Sequence, residues 1–262
     1  MGMVAEILSG KTVNQAGLTV VTNATGDSTV VRSFAPGSRA KLCTAWALNA
    51  TAGQHRVRSP RLHDNVNNLL VNVKAASGQP LYDEYVQQDL FSQDTLTVEL
   101  SGGGAETDTE SILVWYENVP GMDARLAMPA DIMSRIEHYV TLTFALTTGA
   151  TLGDYVGSTA FNAATGNLRA NLDYAILGYE TSVAVTSVGV RGPDVGNARI
   201  GGPGTTQPLE TRAWFARASV QNGVPLMPIF NSANIGGTFL DVVQNAANSN
   251  PTINLVLALL RT

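Results

Sequence analysis

The feature that most limits the fold of this chain is a segment that recurs 133 residues later. Residues 41–65 read KLCTAWALNATAGQHRVRSPRLHDN, and residues 174–197 read YAILGYETSVAVTSVGVRGPDVGN. At this one offset the aligned positions are Trp46 with Tyr179, Val57 with Val190, and Arg58-Ser59-Pro60 with Arg191-Gly192-Pro193. A repeat of this length predicts two copies of one structural unit within the chain.

Short runs of β-forming residues, bounded by Gly, Pro and Asn, fill both copies. Thr95 to Leu100 alternates apolar and polar residues, and Ser111 to Glu117 is almost continuously apolar. In the second half, Leu172–Leu177, Ser182–Arg191 and Thr211–Val220 have the same character. Many short strands with turn residues between them are typical of β-sandwiches.

Proline and glycine residues indicate a domain boundary near the middle of the chain. Asn118 to Pro129 has the Pro and Gly content of a linker, and Asp131 is the expected N-cap of a short helix carrying Ile132, Ile136 and Tyr139. We therefore predict an all-β chain of two tandem sandwiches with a short helix near the joint. The predicted limits are residues 1–120 for the first sandwich, 121–131 for the linker and 132–262 for the second. Residues 192–208, rich in Gly and Pro, are predicted to be a long surface loop.

The low content of charged residues limits the functions that this protein can have. Only 14% of the residues are charged, and the net charge is −5. A neutral polar surface suits burial against neighbouring copies, and the absence of a long basic run argues against strong nucleic-acid binding. Cys43 is the single cysteine, so no internal disulfide is expected. The start of the chain lacks the pattern of a signal peptide, and the apolar run Ile253–Leu260 is too short to span a bilayer.

The sequence offers little support for catalysis. There is no Gly-x-Ser-x-Gly motif, and Cys43 lies in an apolar strand, where a buried, inert thiol is expected. His55 is placed on a strand, His63 in a turn and His138 in the helical segment, with no partner at metal-ligand spacing. We interpret His63-Asp64 as a solvated turn. We therefore predict that the chain is not an enzyme and needs no cofactor.

Three acidic residues form the one candidate metal site. Glu106, Asp108 and Glu110 alternate with Thr residues beside a glycine-rich loop, so their carboxylates share a parity that could hold Ca²⁺. Their spacing is not that of an EF-hand. The simpler interpretation, which we prefer, is an exposed and solvated group of like charges.

Four arginines are candidates for contacts between subunits. Arg56 and Arg58 point from one face of a strand, Arg61 follows the proline after it, and Arg191 repeats Arg58 in the second copy. The plain alternative is a surface face of ion pairs. The sharper hypothesis is that these guanidinium forks bind carboxylates of a neighbouring copy.

The layout of the chain resembles the viral coat proteins built from two jelly-roll sandwiches, as in tailless icosahedral phages and adenoviruses. The resemblance rests on these paired segments: 46–60 with 179–193, and 112–116 with 255–259, separated by the linker at 118–131. It implies two jelly-roll-like sandwiches and a structural role.

The function implied by this resemblance is that of a virion protein that self-assembles into a symmetric shell or tube. Its partners would be copies of itself, with other virion proteins as further candidates, and its location would be the virion after synthesis in the host cytoplasm. Two alternatives remain: a phage decoration, tail or fibre protein, and a glycan-binding β-sandwich module. Trp46, Trp115 and Trp214 are all predicted to lie inside strands, where a core role is expected rather than glycan stacking.

Overall fold

The computed structural model describes these residues of the chain: 2–13, 17–24, 26–48, 53–62, 69–73, 81–83, 88–101 and 107–261. Its regular structure is mainly antiparallel β-sheet, with short helices. The predicted all-β class is therefore confirmed. Alternating sequence patterns explain many of the strands, because successive side chains of a strand point to opposite faces.

The described strands of the first half form two sheets. Their bounds are β1 Met3–Val13, β2 Thr19–Val20, β3 Thr22–Asn23, β4 Ala40–Leu48, β5 Gly53–Arg58, β6 Leu69–Val73, β7 Leu81–Asp83, β8 Gln88–Leu90, β9 Thr97–Ser101 and β10 Thr107–Glu117. One sheet has the order β3-β1-β10-β4-β7, with β8 also paired to β4, and the other has the order β2-β9-β5-β6.

The second half forms two further sheets and carries the described helices. Its elements are β11 Leu126–Ala127, α1 Pro129–Met133, β12 Ile136–Ala145, β13 Tyr155–Ala160, β14 Asp173–Thr181, β15 Val185–Arg191, β16 Arg199–Gly204, α2 Pro208–Thr211, α3 Trp214–Asn222, β17 Met227–Asn231, β18 Phe239–Val243 and β19 Thr252–Leu260. Short 3-10 helices span Phe161–Ala163 and Ser232–Asn234. The sheet orders are β11-β17-β14-β19-β12 and β13-β18-β15-β16.

The two halves share one connectivity. The first contains β1-β10-β4-β8 and β2-β9-β5-β6, and the second contains β12-β19-β14-β17 and β13-β18-β15-β16. In each, the first strand pairs with the last, and the chain alternates between the two sheets as in a jelly roll. The chain is thus two tandem jelly-roll-like sandwiches, with the short helix α1 at the start of the second.

Two bulges fix the equivalent positions. Cys43 is the extra residue in β4 opposite β10, and Leu177 is the extra residue in β14 opposite β19. Aligning the bulges matches Ala45 with Tyr179, an offset of 134 rather than the 133 of the sequence repeat. The matching partners on the last strands are Ile112 and Leu255, so the paired endings noted in the sequence are equivalent in the structure.

The second half departs from the sequence-based expectation at Thr211–Val220, where the sequence predicts a strand. Most of this segment belongs to α3. The buried residues Trp214, Phe215, Ala218 and Asn222 form a helical stripe, so burial of one helix face overrides the β-propensity of the aromatic residues. Gly223 ends the helix in the left-handed conformation, with φ of 64°.

The predicted surface loop at residues 192–208 is also wrong in part, because it contains the buried strand β16. Here glycine allows close strand pairing instead of forming a loop. A Cβ atom on Gly201 would lie 1.9 Å from the carbonyl oxygen of Val188 on β15. Such an approach is possible only without a side chain.

The predicted helix near the joint is shorter than expected, since α1 ends at Met133 and Ile136 already begins β12. Its N-cap is Met128 rather than Asp131, which sits at the third helical position and accepts a hydrogen bond from the Met128 amide at 3.3 Å. His138 consequently lies on a strand. The strand β11, within the predicted linker, joins the sheet of the second half. The limits at residues 120 and 132 stay a prediction.

Two hydrophobic clusters fill the molecule. The first lies between the sheets of the first jelly roll and includes Val4, Leu42, Val57 and Val98. The second fills the second jelly roll and extends onto the outer face of the first, through Ala5, Ile7, Cys43, Trp46, Leu113 and Trp115. Within the described residues, no helix has the length and apolarity needed to cross a membrane.

Candidate functional site

The two jelly rolls meet at a joint, in which the outer face of β1, β10 and β4 packs on β15 and β16. Successive side chains of β1 point to opposite faces of its sheet, so this one strand contributes both to the joint and to the core of the first jelly roll. Ala5 and Ile7 point into the joint, whereas Val4 and Leu8 point into the core of the first jelly roll. The joint is therefore a contact between different faces: the sheet containing β1 in one unit and the sheet containing β15 in the other.

Trp46 anchors the middle of the joint. Its indole nitrogen donates to the carbonyl oxygen of Thr186 at 2.7 Å and approaches the hydroxyl of Ser187 at 3.2 Å. Its ring meets Trp214 of α3 edge to face, with centroids 6.0 Å apart. The side chain is fully buried. This geometry combines aromatic packing with a satisfied polar atom.

Small hydroxyl side chains line the joint beside Trp46. The hydroxyl oxygens of Ser9 and Ser111 are 2.6 Å apart, and those of Ser111 and Ser187 are also 2.6 Å apart. The Tyr155 hydroxyl lies 3.0 Å from Ser9. The resulting hydrogen-bonded chain runs from β13 through β1 and β10 to β15. Buried hydroxyl groups paired in this way hold two sheets in one register.

A charged cluster lies at the Tyr155 end of this series of hydrogen-bonded hydroxyl groups. Asp27, in the segment between β3 and β4, accepts hydrogen bonds from the Ser9 amide at 2.5 Å and from the Tyr155 hydroxyl at 3.2 Å. Arg199 of β16 lies 3.7 Å from its other oxygen. Burial is the main reason that the pKa of Asp27 is raised to about 7.

Asp241 is the second carboxyl group of the cluster. It is fully buried on β18 and is approached by Arg199 at 3.1 Å and by Arg191 at 3.4 Å. Burial raises its pKa, and the two arginines partly oppose that effect. The cluster borders a cavity of about 480 Å³ between the jelly rolls, which Glu6 and Arg32 also line.

The predicted subunit-interface arginines do not come together. Arg56 lies on the outer face of β5 and binds Glu99 at 2.5 Å, Arg58 ends the same strand, and Arg61 lies 5.6 Å from the centre of the Phe91 ring. Arg191 instead belongs to the joint. It binds the buried Asp241 where the two jelly rolls meet, whereas Arg56 and its partner Glu99 both belong to the first jelly roll. The inter-subunit hypothesis stays a prediction.

Two of the three acidic residues do not lie on an exposed, solvated loop, contrary to the prediction. Asp108 and Glu110 belong to β10 and point into the first sandwich, while Glu106 lies outside the described residues. Glu110 lies 3.3 Å from the Nδ1 atom of buried His55, close enough for an ion pair but without hydrogen-bond alignment. Burial raises the pKa of Glu110, and His55 opposes this. The Ca²⁺ hypothesis stays a prediction; within the described residues no metal-binding cluster forms.

The remaining candidates fit no reactive arrangement. Cys43 is buried, and burial raises the pKa of its thiol to about 12, which disfavours the nucleophilic thiolate. His138 is partly exposed beside Glu137 on β12. The pair His63-Asp64 lies outside the described residues. The prediction that the chain is not an enzyme stays a prediction.

Sequence reasoning missed the charged cluster of the joint. Asp27 ends a cluster of turn residues that begins at Asn23, and the small, polar residues around Tyr155 form no strand pattern. One signal was present: Asp241 is the single charged residue within the apolar run Phe239–Val243. A lone carboxylate in a buried strand requires a partner, which the structure supplies from β15 and β16.

Comparison with known proteins adds distant structural likenesses. No family model matches the sequence, and no curated protein matches it. A solved structure of the PBSX exported protein XepA is 13% identical, with a TM-score of 0.27, and the match covers 98% of this chain and 86% of that one.

Two viral proteins are similarly remote. The STIV MCP is 9% identical over 99% of this chain and 97% of that chain, with a TM-score of 0.22. The major capsid protein P2 from bacteriophage PM2 is 10% identical over 98% and 97%, with a TM-score of 0.24. Scores this low do not establish a shared fold, so the assignment of two jelly-roll-like sandwiches rests on the strand order of this chain.

Proposed function

We propose that this chain is a structural subunit of a virion, a coat-like protein that assembles with copies of itself into a symmetric shell or tube. The observation that carries the proposal is the asymmetry of the joint. The sheet containing β1 packs on the sheet containing β15, so each unit uses a different face. Contacts of this head-to-tail kind leave one complementary face free at each end.

The free face of the second jelly roll, along β12, corresponds to part of the face that the first one buries; α2 covers another part at β14. Val4 of β1 pairs with Tyr116, and His138 of β12 pairs with the equivalent residue Leu259. The residues that follow, Ala5 in β1 and Tyr139 in β12, are therefore also equivalent. Ala5 is 1% exposed, whereas Tyr139 is 64% exposed. A large amphipathic side chain left uncovered at such a position suits a subunit interface.

The free face of the first jelly roll corresponds to the face that the second one buries. Arg56 and Glu99 are paired across β5 and β9, as Gly189 and Asp241 are across β15 and β18. Glu99, the equivalent of Asp241, is only 8% exposed and is paired with Arg56, so the half-buried guanidinium group of Arg56 is the part of this pair that faces another copy. Repetition of the joint between chains would give a ring or an open stack, depending on the rotation at each contact.

The buried positions of the three tryptophans support a structural role over glycan binding. Trp46 and Trp214 pack against each other in the joint, and Trp115 is 2% exposed beneath Arg39. Glycan-binding sites typically use an exposed aromatic face, which these residues do not offer. A decoration, tail or fibre protein is a related structural role and differs from a coat protein in the assembly formed.

Assembly of the purified chain tests the proposal. We expect analytical ultracentrifugation to show defined oligomers that grow with concentration, and negative-stain electron microscopy to show regular rings, shells or tubes. A short, elongated oligomer would favour a tail or fibre component. A monomer at millimolar concentration that binds an immobilised glycan panel would overturn the proposal.

A further inference from the structure

We infer that the joint between the two jelly rolls is pH-sensitive: it is tightest when the carboxyl group of Asp27 is protonated and loosens when this group ionises. The inference concerns a contact within one chain and does not rest on the proposed assembly. The segment between β3 and β4 belongs to the first jelly roll, yet it places Asp27 against Tyr155 and Arg199 of the second.

The surroundings of Asp27 solvate a carboxylate incompletely. Its Oδ2 atom accepts two hydrogen bonds, from the Ser9 amide and the Tyr155 hydroxyl. The nearest nitrogen of Arg199 is 3.7 Å from Oδ1, beyond hydrogen-bonding distance. Only 6% of the side chain is exposed, so water compensates little. Such a site favours the neutral form of a carboxyl group.

The charge of Arg199 does not compensate Asp27 alone, because Arg199 also forms an ion pair with Asp241. Its Nε atom lies 3.1 and 3.2 Å from the two carboxyl oxygens of Asp241, and its guanidinium group stacks 3.4 Å from the centre of the Tyr155 ring. One guanidinium charge is thus divided between two buried carboxyl groups. Burial raises the pKa of Asp241 as well, so both groups act in the same direction.

Other charges near Asp27 are paired with closer partners. Arg32 binds both carboxyl oxygens of Glu6 on β1, at 2.8 and 2.5 Å, and the negative charge of Glu6 further disfavours ionised Asp27.

On the second jelly roll, Arg191 donates to Asp241 at 3.4 Å. Lys11, at the far end of β1, lies 3.5 Å from Asp154. Among the described residues, each of these cations has a carboxylate nearer than Asp27.

The direction of the pH effect on the joint follows from the raised pKa of Asp27. Burial, opposed chiefly by the Ser9 amide and Arg199, raises the pKa of Asp27 from 3.8 to about 7 in the closed joint. Opening the joint hydrates the group and returns its pKa toward 3.8, so the closed state binds the proton more tightly. The resulting advantage of the closed joint is complete below pH 4 and is lost as the pH rises to 7. Between these values the ratio of open to closed joint rises at most about tenfold per pH unit.

The single cysteine of the chain provides a readout of opening. Cys43 lies in the hydrophobic cluster of the joint and is fully buried. Its rate of reaction with a thiol reagent, divided by the rate for the urea-unfolded chain at the same pH, measures how often the joint opens. We expect this ratio to rise about tenfold or more between pH 5.5 and pH 8.5. A reaction rate that rises with urea, but less steeply than expected for global unfolding, identifies opening of the joint, because the urea dependence scales with the surface exposed.

The variant Asp27→Asn mimics the protonated group and should reduce the rise, leaving only the part that Asp241 contributes. Asp89→Asn, at an exposed position on β8, is the matched control and should behave like the unmodified chain. The inference is overturned if the unmodified chain shows no rise, or if Asp27→Asn retains the full rise. The first of these results needs no variant, so a failure of Asp27→Asn to fold would still leave a decisive measurement.

Discussion

Trp46 is equivalent in the structure to Glu180, although the sequence repeat aligns it with Tyr179. Alignment of the two bulges makes Ala45 equivalent to Tyr179, so the next residues, Trp46 and Glu180, are equivalent as well. Trp46 pairs with Ser111 of β10, and Glu180 pairs with Asn254 of β19. Trp46 therefore points out of its sheet into the joint. Tyr179 points into the core of its own sandwich, where its hydroxyl donates to the carbonyl oxygen of Pro203 at 2.9 Å. The repeat in sequence locates equivalent strands but misaligns their faces by one residue.

Replacing Trp46 should weaken the joint. Trp46→Phe removes the hydrogen bond to the Thr186 carbonyl and leaves that buried oxygen unpaired, besides reducing contact with Trp214. We expect the free energy of unfolding to fall by about 1–3 kcal/mol, as measured by urea denaturation. Tyr139→Phe, at an exposed site, is the control and should change stability by less than about 0.5 kcal/mol.

Gly178 is required where β14 meets α2. A Cβ atom at this position would lie 2.1 Å from the carbonyl oxygen of Thr211, which is backbone and cannot rotate away. Gly178→Ala should lower the unfolding free energy by about 1–3 kcal/mol in thermal or urea denaturation. Gly17→Ala, where nothing lies within 4 Å of the added atom, is the matched control. Equal effects of the two variants would contradict the close approach of α2 to β14.

The sequence predicted strands well where burial follows directly from the local pattern, on one face or on both. Thr95–Leu100 and Ser111–Glu117 correspond to β9 and β10 because their alternation or apolarity reflects local burial. It failed at α3, where Trp214 and Phe215 carry high β-propensity but pack as part of a helical stripe. Propensity is a weak guide when tertiary contacts decide the burial of large aromatic residues.

The joint itself could not be read from the sequence. Asp27, Tyr155, Arg199 and Asp241 come from four separate parts of the chain, and only the docking of the two sandwiches brings them together. Their local neighbours carry no spacing that predicts this. By contrast, burial of Cys43 was predicted because its flanking residues are themselves apolar.

The buried carboxyl group of Glu110 should make stability depend on pH. Burial raises its pKa above the ordinary value of 4.5, so the folded state binds this proton more tightly than the unfolded state. Its contribution is fully present below pH 4.5 and is lost as the pH rises through the folded pKa. Glu110→Gln should therefore flatten the decline of the urea midpoint above pH 4.5. Glu117→Gln, which alters a surface ion pair with Arg39, should leave the decline unchanged.

Charge reversal at the free face of the first jelly roll should impair assembly. Arg58 ends β5 as Arg191 ends β15, and it is half-buried on the outer side of its sheet. Arg58→Glu should raise the concentration needed for assembly in sedimentation velocity by about tenfold, because a repelled or unpaired charge at an interface costs at least about 1.4 kcal/mol. Arg39→Glu, at an exposed site beside β4 in the other sheet of the first jelly roll, should have a smaller effect.

The free face of the second jelly roll gives the sharpest test of head-to-tail assembly. Tyr139→Asp places a charge where the equivalent Ala5 is buried, and a carboxylate buried without a partner opposes association. We expect the variant to fold with unchanged thermal stability, because Tyr139 is exposed, and to remain monomeric by analytical ultracentrifugation.

Val220→Asp supplies a control of matched exposure. Val220 is 66% exposed, close to the 64% of Tyr139, but it lies on α3 and outside both sheet faces. Because both variants add the same charge to a similarly exposed apolar site, only the position differs. If Val220→Asp abolishes assembly and Tyr139→Asp does not, the contact between copies runs through the helices and the joint is not its template.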